Sequence, residues 1–392
     1  MTSPFIQSLH IYPVKSTAGI ALSHSWVDDF GLSFDRRFVI TDLEGQFITA
    51  RTQPKLCLIQ CYLSPDGLIL TAPNMPRLEI IFSNFSEQYH PVVVWNDQIN
   101  ALYCHQSYDK WFSQYLNLPC QLHFFADKSL RQVKNSDNQV GFADGYPLLL
   151  ISQASLDDLN SRIAQRYGDD SHISMTQFRP NIVVSDTQAF AEDSWHRIKI
   201  GEVEFDVTKP CSRCVFTTID PSNAQKHPEQ EPLSTLKTYR QVSKGDVMFG
   251  QNLIPLNKGQ VKQGDKVTII TKQSPPIFVS HKTPNSSSEK DTESTAVMSE
   301  NIVPKKVNIL FDSWNKNHKG NTQEPILDQG EAAGLILPFS CRGGMCGRCK
   351  IKLDKGQVRQ LADDGLTDDE KEEGYVLACS SIPQSDLTLS SS

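Results

Sequence analysis

The sequence contains no long apolar segment. None of its 392 residues lies in a run approaching the roughly 18 apolar residues that a membrane-spanning helix requires. The first residues, MTSPFIQSLHIYPVKS, also lack the basic stretch followed by an apolar stretch that directs export. We therefore expect a soluble, cytoplasmic protein with no membrane partner.

Excess positive charge and nucleotide-binding motifs are lacking as well. Lys and Arg total 38 against 45 Asp and Glu, which gives a formal net charge of -7 at pH 7. Non-specific binding to nucleic acid depends on clustered positive charge, so we expect no nucleic acid polymer among the partners. Neither GxxxxGKS, GxxxxGKT nor GxGxxG occurs. The sequence therefore predicts no intrinsic site for a nucleoside triphosphate or a nicotinamide.

The chain is too long for one ordinary hydrophobic core, because single cores stop growing at roughly 250 to 300 residues. Short β-branched and aromatic runs separated by Gly, Pro and Asp indicate a first, β-rich domain over residues 1–120. A second domain covers 121–273, a flexible linker rich in Ser, Thr, Pro and charge covers 274–304, and a third domain covers 305–392. The predicted fold class is mainly β with some α.

Few helices are predicted. QSYDKWFSQYLN, just before Pro119, is typical of a helix, and Leu156, Leu159 and Ile163 with Tyr167 recur at helical spacing behind Ser155, with Gly168 as a stop. Strands are predicted at PLLLIS, NIVVS, HRIKIGEVEFDV, CVFTTI and KVTIIT. The third domain is expected to open with the strand KKVNILF and to contain a helix around Pro325 to Ala333.

Four of the ten cysteines form the clearest motif. In CRGGMCGRC, four residues separate Cys341 from Cys346 and two separate Cys346 from Cys349, and 29 residues separate Cys349 from Cys379. This is the plant-type 2Fe–2S spacing, in which four thiolates bind two irons. Structural zinc is the alternative, although it usually has two paired CxxC-like units. Three loop glycines would let the backbone close around the cluster: Gly343, Gly344 and Gly347.

Cys211 and Cys214 form a second, isolated pair within KPCSRCVFTTIDP. A thioredoxin-like role needs a following helix that stabilises the thiolate, whereas VFTTI is predicted to be a strand. A zinc site would need two further ligands, and the nearest, His227, belongs to no second metal-spaced pair. A purely structural role stays open. A further interpretation is a single thiolate offered to a soft metal, with Arg213 favouring its anionic form.

Several segments together resemble a known family. Residues 1–274 resemble the MOSC family (molybdenum cofactor sulfurase C-terminal domain) with its N-terminal β-barrel partner, as in mitochondrial amidoxime-reducing components. The matching segments are YPVKS, FDRRFVITD, EGQFITARTQP, ISQASLDDLNSR, FRPNIVV, AEDSW and KPCSRCVFTTIDP. ILPFSCRGGMCGRCKIKL and VLACSS resemble 2Fe–2S ferredoxin domains of the β-grasp fold. The resemblance implies two β-barrel-rich domains followed by a β-grasp ferredoxin domain.

The resemblance also implies two cofactors, the molybdenum cofactor (molybdopterin) and a 2Fe–2S cluster. Cys214, the second cysteine of the CSRC element, would bind molybdenum and be the catalytic residue. Three residues would hold the terminal phosphate of the pterin: Lys15, Ser16 and Arg36. Four more would hold the pterin and its surroundings: Arg179, Asn181, Ser212 and Arg213. These residue types suit an anionic pterin, which needs cationic, hydroxyl and amide groups and a soft ligand for its metal.

The implied function is reduction of N-hydroxylated compounds: hydroxylamines, N-hydroxylated nucleobases and amidoximes. Electrons would pass through the chain's own 2Fe–2S domain from an external NAD(P)H-dependent flavoprotein reductase. Two alternatives stay open, a cofactor or sulfur carrier that uses Cys214 and an electron-transfer adaptor whose barrels only bind a partner. An acidic run between residues 363 and 373 predicts either a solvated turn or a docking face for a positively charged reductase.

Overall fold

The computed structural model describes residues 3–279, except 96, 135, 169–170 and 243–245, and residues 306–391, except 323, 336, 340–346, 361–362 and 364. The chain divides into two compact units, Met1–Arg240 with Val247–Phe278, and Gln241–Asp246 with Val279–Ser392. Most of the predicted linker lies outside the described residues. So do two predicted cluster ligands, Cys341 and Cys346, and the loop glycines Gly343 and Gly344.

The first unit is mainly β, as predicted. Its strands are β1 (Phe5–Ile11), β2 (Ile20–Leu22), β3 (His24–Asp28), β4 (Gly31–Leu32), β5 (Phe38–Thr41), β6 (Gln60–Ser64), β7 (Gly67–Thr71), β8 (Leu78–Ile81), β9 (Tyr89–Val94), β10 (Asp97–Tyr103), β11 (Gln121–Phe124), β12 (Leu148–Ser152), β13 (Ile182–Ser185), β14 (Trp195–Ile200), β15 (Val203–Ser212), β16 (Met248–Pro255), β17 (Gly259–Lys262) and β18 (Val267–Lys272). Its helices are α1 (Gln106–Leu116), α2 (Gln153–Tyr167), α3 (Met175–Phe178) and α4 (Leu233–Lys237). Short 3₁₀ turns cover Pro54–Leu58, Phe82–Asn84, Ala191–Ser194 and Val215–Thr218.

The sheets of the first unit join early and late parts of the sequence. The largest has the order β18-β14-β15-β16-β12-β13-β1-β2, so β1 pairs antiparallel with β13, with Leu9 opposite Ile182. The others have the orders β5-β11-β10-β9, β17-β3-β4 and β6-β7-β8. Strand β1 thus lies in a sheet built mostly from residues after 120, and β11, which begins after 120, pairs with β5 and β10. The division at residue 120 stays a prediction, and it separates strands that share sheets.

Alternating apolar residues explain why these strands pack as they do. In β15, Val203, Phe205 and Val207 are buried while the residues between them face the other side. This period of two is the pattern of a strand with one face on the core. A second core lies under α1, whose Trp111 and Phe112 pack among strand residues such as Phe38.

The two predicted helices of the first unit form, with one correction. Helix α1 ends where Asn117 adopts a left-handed conformation, two residues before Pro119. Helix α2 stops at Gly168 as predicted, but it begins at Gln153, two residues before Ser155, because the Ser152 hydroxyl accepts the Ser155 N–H at 3.1 Å. The Ser155 hydroxyl instead donates to the buried Glu192 at 2.7 Å. Among the described helices, none is both long and apolar enough to cross a bilayer.

The prediction of a strand at CVFTTI is wrong, because Val215–Thr218 forms a 3₁₀ turn. Cys214 immediately precedes this turn. The threonine hydroxyls explain the difference. Thr217 Oγ1 donates to the Cys214 carbonyl at 2.9 Å, and Thr218 Oγ1 donates to the Val215 carbonyl at 2.8 Å. Such local bonds compete with sheet pairing and outweigh β-branched composition here. A single 3₁₀ turn still provides no long helix of the kind that a thioredoxin-like thiolate uses.

The second unit contains β19 (Lys306–Phe311), β20 (Lys316–Asn321), β21 (Lys350–Lys355), β22 (Val358–Gln360), β23 (Tyr375–Leu377), β24 (Ser381–Pro383) and β25 (Leu387–Ser391), with α5 (Ile326–Ala332) and α6 (Asp368–Glu372). A 3₁₀ turn covers Asp312–Trp314. The main sheet has the order β20-β19-β25-β21-β23, with β19 and β25 parallel. Both predicted elements, the opening strand and the helix after Pro325, are present. Part of the acidic run forms α6, which Thr367 and Glu370 cap, so that part is helical rather than a turn.

Candidate functional site

A cavity of about 160 Å³ lies within the first unit. Every cofactor-binding residue that the resemblance implies lines it: Lys15, Ser16, Arg36, Arg179, Asn181, Ser212, Arg213 and Cys214. These residues come from four separate stretches of sequence. The loop after β1, the region before β5, the end of α3 and the end of β15 meet here.

Three of these residues hold a backbone conformation that ordinary residues rarely adopt. The φ angles are +76° at Ser16, +45° at Arg36 and +56° at Arg179. Left-handed non-glycine residues are uncommon, and they persist where the surrounding structure fixes them, often at functional sites. The side chains of these three residues therefore start from fixed backbone directions at the cavity.

Arg36 and Arg179 both contact the buried Tyr12 ring. Their guanidinium carbons lie 4.4 Å and 4.1 Å from its centre. Arg36 also pairs with the buried Asp35 at 2.5 Å. Burial raises the pKa of the Asp35 carboxyl, while Arg36 opposes that shift. Burial also raises the pKa of the Tyr12 hydroxyl to about 12, so Tyr12 is neutral at physiological pH.

The side-chain amide of Asn181 forms hydrogen bonds with other groups of the protein. Its Nδ2 donates to the His10 carbonyl at 3.1 Å, and its Oδ1 accepts from Leu149 N at 3.1 Å and from Arg36 Nη1 at 3.0 Å. The side chain is fully buried. Asn181 thus ties together the segments that surround the cavity and positions Arg36. Its predicted contact with the pterin stays a prediction.

Two arginines of the cavity have a buried N–H group that lacks a hydrogen-bond acceptor among the described atoms, Arg179 Nη2 and Arg213 Nη2. Other donors of the same two side chains bond to backbone carbonyls. Arg179 Nη1 donates to the Thr17 carbonyl, Arg213 Nε to the Phe249 carbonyl at 2.8 Å and Arg213 Nη1 to the Phe178 carbonyl at 3.2 Å. Buried charged donors without acceptors are costly. An anionic ligand with oxygen acceptors fits this requirement.

Lys15 is buried at one end of a row of three charged side chains, which continues through Asp144 to Arg51. Its Nζ donates to the Phe142 carbonyl at 2.8 Å and to Asp144 Oδ1 at 2.5 Å. Asp144 Oδ2 accepts from Arg51 Nη2 at 2.9 Å. Burial lowers the pKa of Lys15 to about 8, and Asp144 only partly restores it. Desolvation opposes the charge of Asp144 too, but Lys15 and Arg51 outweigh it and hold the pKa of the carboxyl well below its usual range.

Cys214 is half-buried beside this chain. Arg51 Nε donates to its Sγ at 3.2 Å. Burial opposes the positive charge of Arg51, but Cys214 and Asp144 outweigh it and raise the pKa of the guanidinium above its ordinary value. Cys211 lines the same cavity, and burial raises the pKa of its thiol. The cysteine sulfur in this cavity, with an Arg51 N–H directed at it, suits a ligand for a soft metal.

Arg51 and Asp144 were not among the predicted site residues. Arg51 lies in EGQFITARTQP, one of the segments that carry the resemblance, so a signal for it was available. Asp144 stands in a Gly- and Pro-containing stretch with no metal spacing around it. Its role depends on contacts with Arg51, 93 residues earlier, which no local pattern reveals.

In the second unit, two of the four predicted cluster ligands are described. The Cys349 and Cys379 sulfurs lie 3.1 Å apart, and both side chains are buried. Gly347 has a φ of +71°, and a Cβ there would lie 2.6 Å from the Gly365 carbonyl oxygen. Only glycine fits this close approach, as the predicted tight loop requires. Converging buried thiols on a glycine-dependent loop fit an iron–sulfur cluster.

Comparisons with known families agree with this geometry. The chain matches the MOSC N-terminal beta barrel domain over residues 3–119, the MOSC domain over 137–268 and the 2Fe-2S iron-sulfur cluster binding domain over 316–384. Mitochondrial amidoxime-reducing component 1 of Mus musculus is 34% identical over 287 residues, which cover 68% of this chain and 82% of that protein. The Homo sapiens protein of the same name is 33% identical over 285 residues, with the same coverage. Mitochondrial amidoxime reducing component 2 of Rattus norvegicus is 32% identical over 284 residues, which cover 67% of this chain and 82% of that protein.

The fold and the site thus define a two-cofactor oxidoreductase. Its MOSC domain binds the molybdenum cofactor and its C-terminal domain binds a 2Fe–2S cluster. The chain belongs to the MOSC family that includes the mitochondrial amidoxime-reducing components. The relatives match 68% of this chain, which also contains the 2Fe-2S domain at residues 316–384.

Proposed function

We propose that the chain reduces the N–O bond of N-hydroxylated compounds, namely hydroxylamines, N-hydroxylated nucleobases and amidoximes. The balanced reaction is R–NH–OH + 2 e⁻ + 2 H⁺ → R–NH₂ + H₂O. One observation carries the proposal: the Cys214 thiol lies in a cavity that also presents two buried arginine N–H groups without acceptors. The names of the relatives, amidoxime-reducing components, support this substrate class.

The residues of the cavity have distinct proposed tasks. When bound, the molybdenum cofactor supplies a soft metal with two-electron redox chemistry. Cys214 would be its protein ligand. Arg179 and Arg213 would donate their unused N–H groups to the pterin and its surroundings, and three residues would hold the terminal phosphate: Lys15, Ser16 and Arg36. Since the donors are already held in place, little side-chain freedom is lost on binding.

Electrons would arrive one at a time through the second unit. Cys341, Cys346, Cys349 and Cys379 would hold the cluster, whose plant-type potential of around -400 mV suits a donor. The lack of nucleotide motifs favours an external NAD(P)H-dependent flavoprotein reductase as the source. The exposed acids of α6 would face this reductase, although Glu370 is partly neutralised by Lys350 at 2.5 Å. A cytoplasmic location stays a prediction.

Metal analysis combined with a Cys214→Ser variant tests the proposal. The wild-type chain is expected to contain one molybdenum and two irons and to turn over a hydroxylamine with reduced donor. Cys214→Ser should lose turnover while its iron spectrum stays intact, because the cluster ligands lie in the other unit. Cys211→Ser is the matched control, and it should keep its molybdenum.

Each alternative gives a different result. Turnover that survives in Cys214→Ser would refute the proposal. Equal losses in both cysteine variants would favour a role that needs the pair, such as a zinc or disulfide site. Bound cofactor that leaves for another protein without any turnover would favour a carrier, and iron without molybdenum would favour an electron-transfer adaptor.

A further inference from the structure

Arg51 places a buried guanidinium directly beside the Cys214 sulfur. Its side chain is 4% exposed, and its Nε donates to Sγ at 3.2 Å. The residue ends the FITAR segment, where the Thr49 hydroxyl accepts its backbone N–H at 3.3 Å. A guanidinium removed from water requires anionic partners. The Asp144 carboxylate is such a partner, and the Nε donor is left to point at the Cys214 sulfur.

Two neighbours fix the direction of this guanidinium. Arg51 Nη2 donates to Asp144 Oδ2 at 2.9 Å, and the guanidinium carbon lies 4.6 Å from the centre of the Trp95 ring. Trp95 also contacts Asp144, because its Nε1 donates to Asp144 Oδ1 at 3.3 Å. Trp95 holds the plane of the Arg51 guanidinium and Asp144 holds its Nη2 edge. The Nε donor is therefore directed at the Cys214 sulfur.

Arg131 anchors the loop that carries Asp144. Its guanidinium donates to three backbone oxygens of that loop, those of Gly141, Ala143 and Asp144. Its Nε pairs with Asp97 at 2.7 Å. A second buried arginine thus holds the backbone that carries Asp144, the carboxylate partner of Arg51.

A purely structural ion pair does not account for these contacts. Arg197, in the same unit, directs both Nε and Nη2 to the carboxylate of Asp206, at 2.8 Å and 3.3 Å. Arg51 instead divides these two donors between Asp144 and the Cys214 sulfur. An N–H donor on a cysteine sulfur restricts the direction of the sulfur's remaining lone pairs. Groups that contact a metal ligand in this way typically change metal affinity 10- to 100-fold.

We propose that Arg51 is a positioning residue that orients the Cys214 thiolate and determines how it binds molybdenum. The inference rests on the proposed role of Cys214. It adds that the guanidinium must divide its donors, with Nε on the sulfur and Nη2 on Asp144. A lysine at position 51 offers a point charge without this fork, so it would supply the charge but not the geometry.

Full-length Arg51→Gln and Arg51→Lys, with Arg197→Gln as matched control, test the inference. Molybdenum per chain at limiting cofactor should fall by about 10- to 100-fold in Arg51→Gln and by less in Arg51→Lys. In the chains that retain metal, both variants should shift the electron paramagnetic resonance signal of molybdenum. The iron content should stay at the wild-type value, and Arg197→Gln should match the wild type in all three measurements.

Wild-type molybdenum content with an unshifted signal in Arg51→Gln would overturn the inference, even if turnover fell. If Arg51→Gln does not fold, Asp144→Asn decides, because it keeps the arginine and removes its ionic anchor; an unshifted signal there would overturn the inference as well. A different result would refute the proposed function. Molybdenum and turnover retained in Cys214→Ser would refute it, whereas their loss in Cys214→Ser with a normal Arg51→Gln refutes the role of Arg51 alone.

Discussion

Burial determines what single charged residues do around the cavity. A lone lysine in a sequence is usually a surface charge, yet Lys15 is 6% exposed and its ammonium is enclosed by a carbonyl and a carboxylate. The same holds for Arg51, whose side chain donates to the Cys214 sulfur and to the Asp144 carboxylate. Removing such a group from water makes its charge state and direction depend on its partners.

His123, which is not among the residues that line the cavity, gives a prediction about pH and stability. Burial, with a smaller effect from His90, lowers the pKa of His123 from 6.5 to about 4. Between these values the unfolded chain binds more protons than the folded one, so the free energy of unfolding rises with pH. This contribution is complete above pH 6.5 and is lost as the pH falls toward 4. At 1.36 kcal/mol per pKa unit, it amounts to about 3 kcal/mol.

His123→Phe should remove that part of the acid sensitivity. Unfolding by urea, followed by tryptophan fluorescence at several pH values between 4 and 7, measures it. The difference in unfolding free energy between wild type and variant should change by about 3 kcal/mol across this range. A difference that stays constant with pH would contradict the prediction.

At the scale of elements, the 3₁₀ turn after Cys214 shows how a short segment can depart from its composition. Val215–Thr218 is rich in β-branched residues, and the expected strand did not form. Two hydroxyls close the turn on carbonyls three residues earlier, and Gln177 Nε2 adds a bond to the Thr217 carbonyl at 3.1 Å. The turn places Cys214 at its start, where the backbone changes from extended to helical.

Substitution of the two threonines should separate the turn's stability from its role at the site. Thr217→Val and Thr218→Val each remove one hydroxyl bond and keep the side-chain shape, so each should lower the unfolding free energy by about 1 kcal/mol. Only Thr217 bonds the Cys214 carbonyl. Thr217→Val should therefore lower molybdenum content more than Thr218→Val does. Equal molybdenum contents would show that this bond does not position Cys214.

At the scale of the whole molecule, two compact units carry the two cofactors on one chain. If the predicted linker of about 30 residues behaves as a coil, its span would be roughly 30 Å and the effective concentration of the cluster about millimolar. We therefore predict that the tether gives each molybdenum site its own electron donor.

Mixing two full-length variants tests this effect of the tether. Cys214→Ser keeps the cluster, and Cys379→Ser keeps the molybdenum site, so a mixture can turn over only by transfer between chains. With a flavoprotein as donor and about micromolar chains, the mixture should turn over at least about 100-fold more slowly than the wild type. Wild-type turnover per chain should not change on dilution. A mixture as fast as the intact chain would show that the tether is not needed.

The sequence alone determined the features that depend on neighbours along the chain. The cluster spacing lies within one short loop and one later segment, and the alternation in β15 and the helical repeats of α1 and α2 are local patterns. The motif segments indicated the residues that line the cavity, because those residues recur together in a family. The 3₁₀ turn was missed because hydroxyl bonds that close a turn leave no periodic signal.

Only the tertiary structure decided which charges meet. Arg51 and Cys214 are 163 residues apart, and they come into contact because the strands around them join a common unit in an order unrelated to sequence. The same packing buries Lys15 and tethers Arg36 to Asn181. Sequence spacing specifies local geometry, whereas the direction of a side chain toward a distant partner depends on the packing of the whole unit.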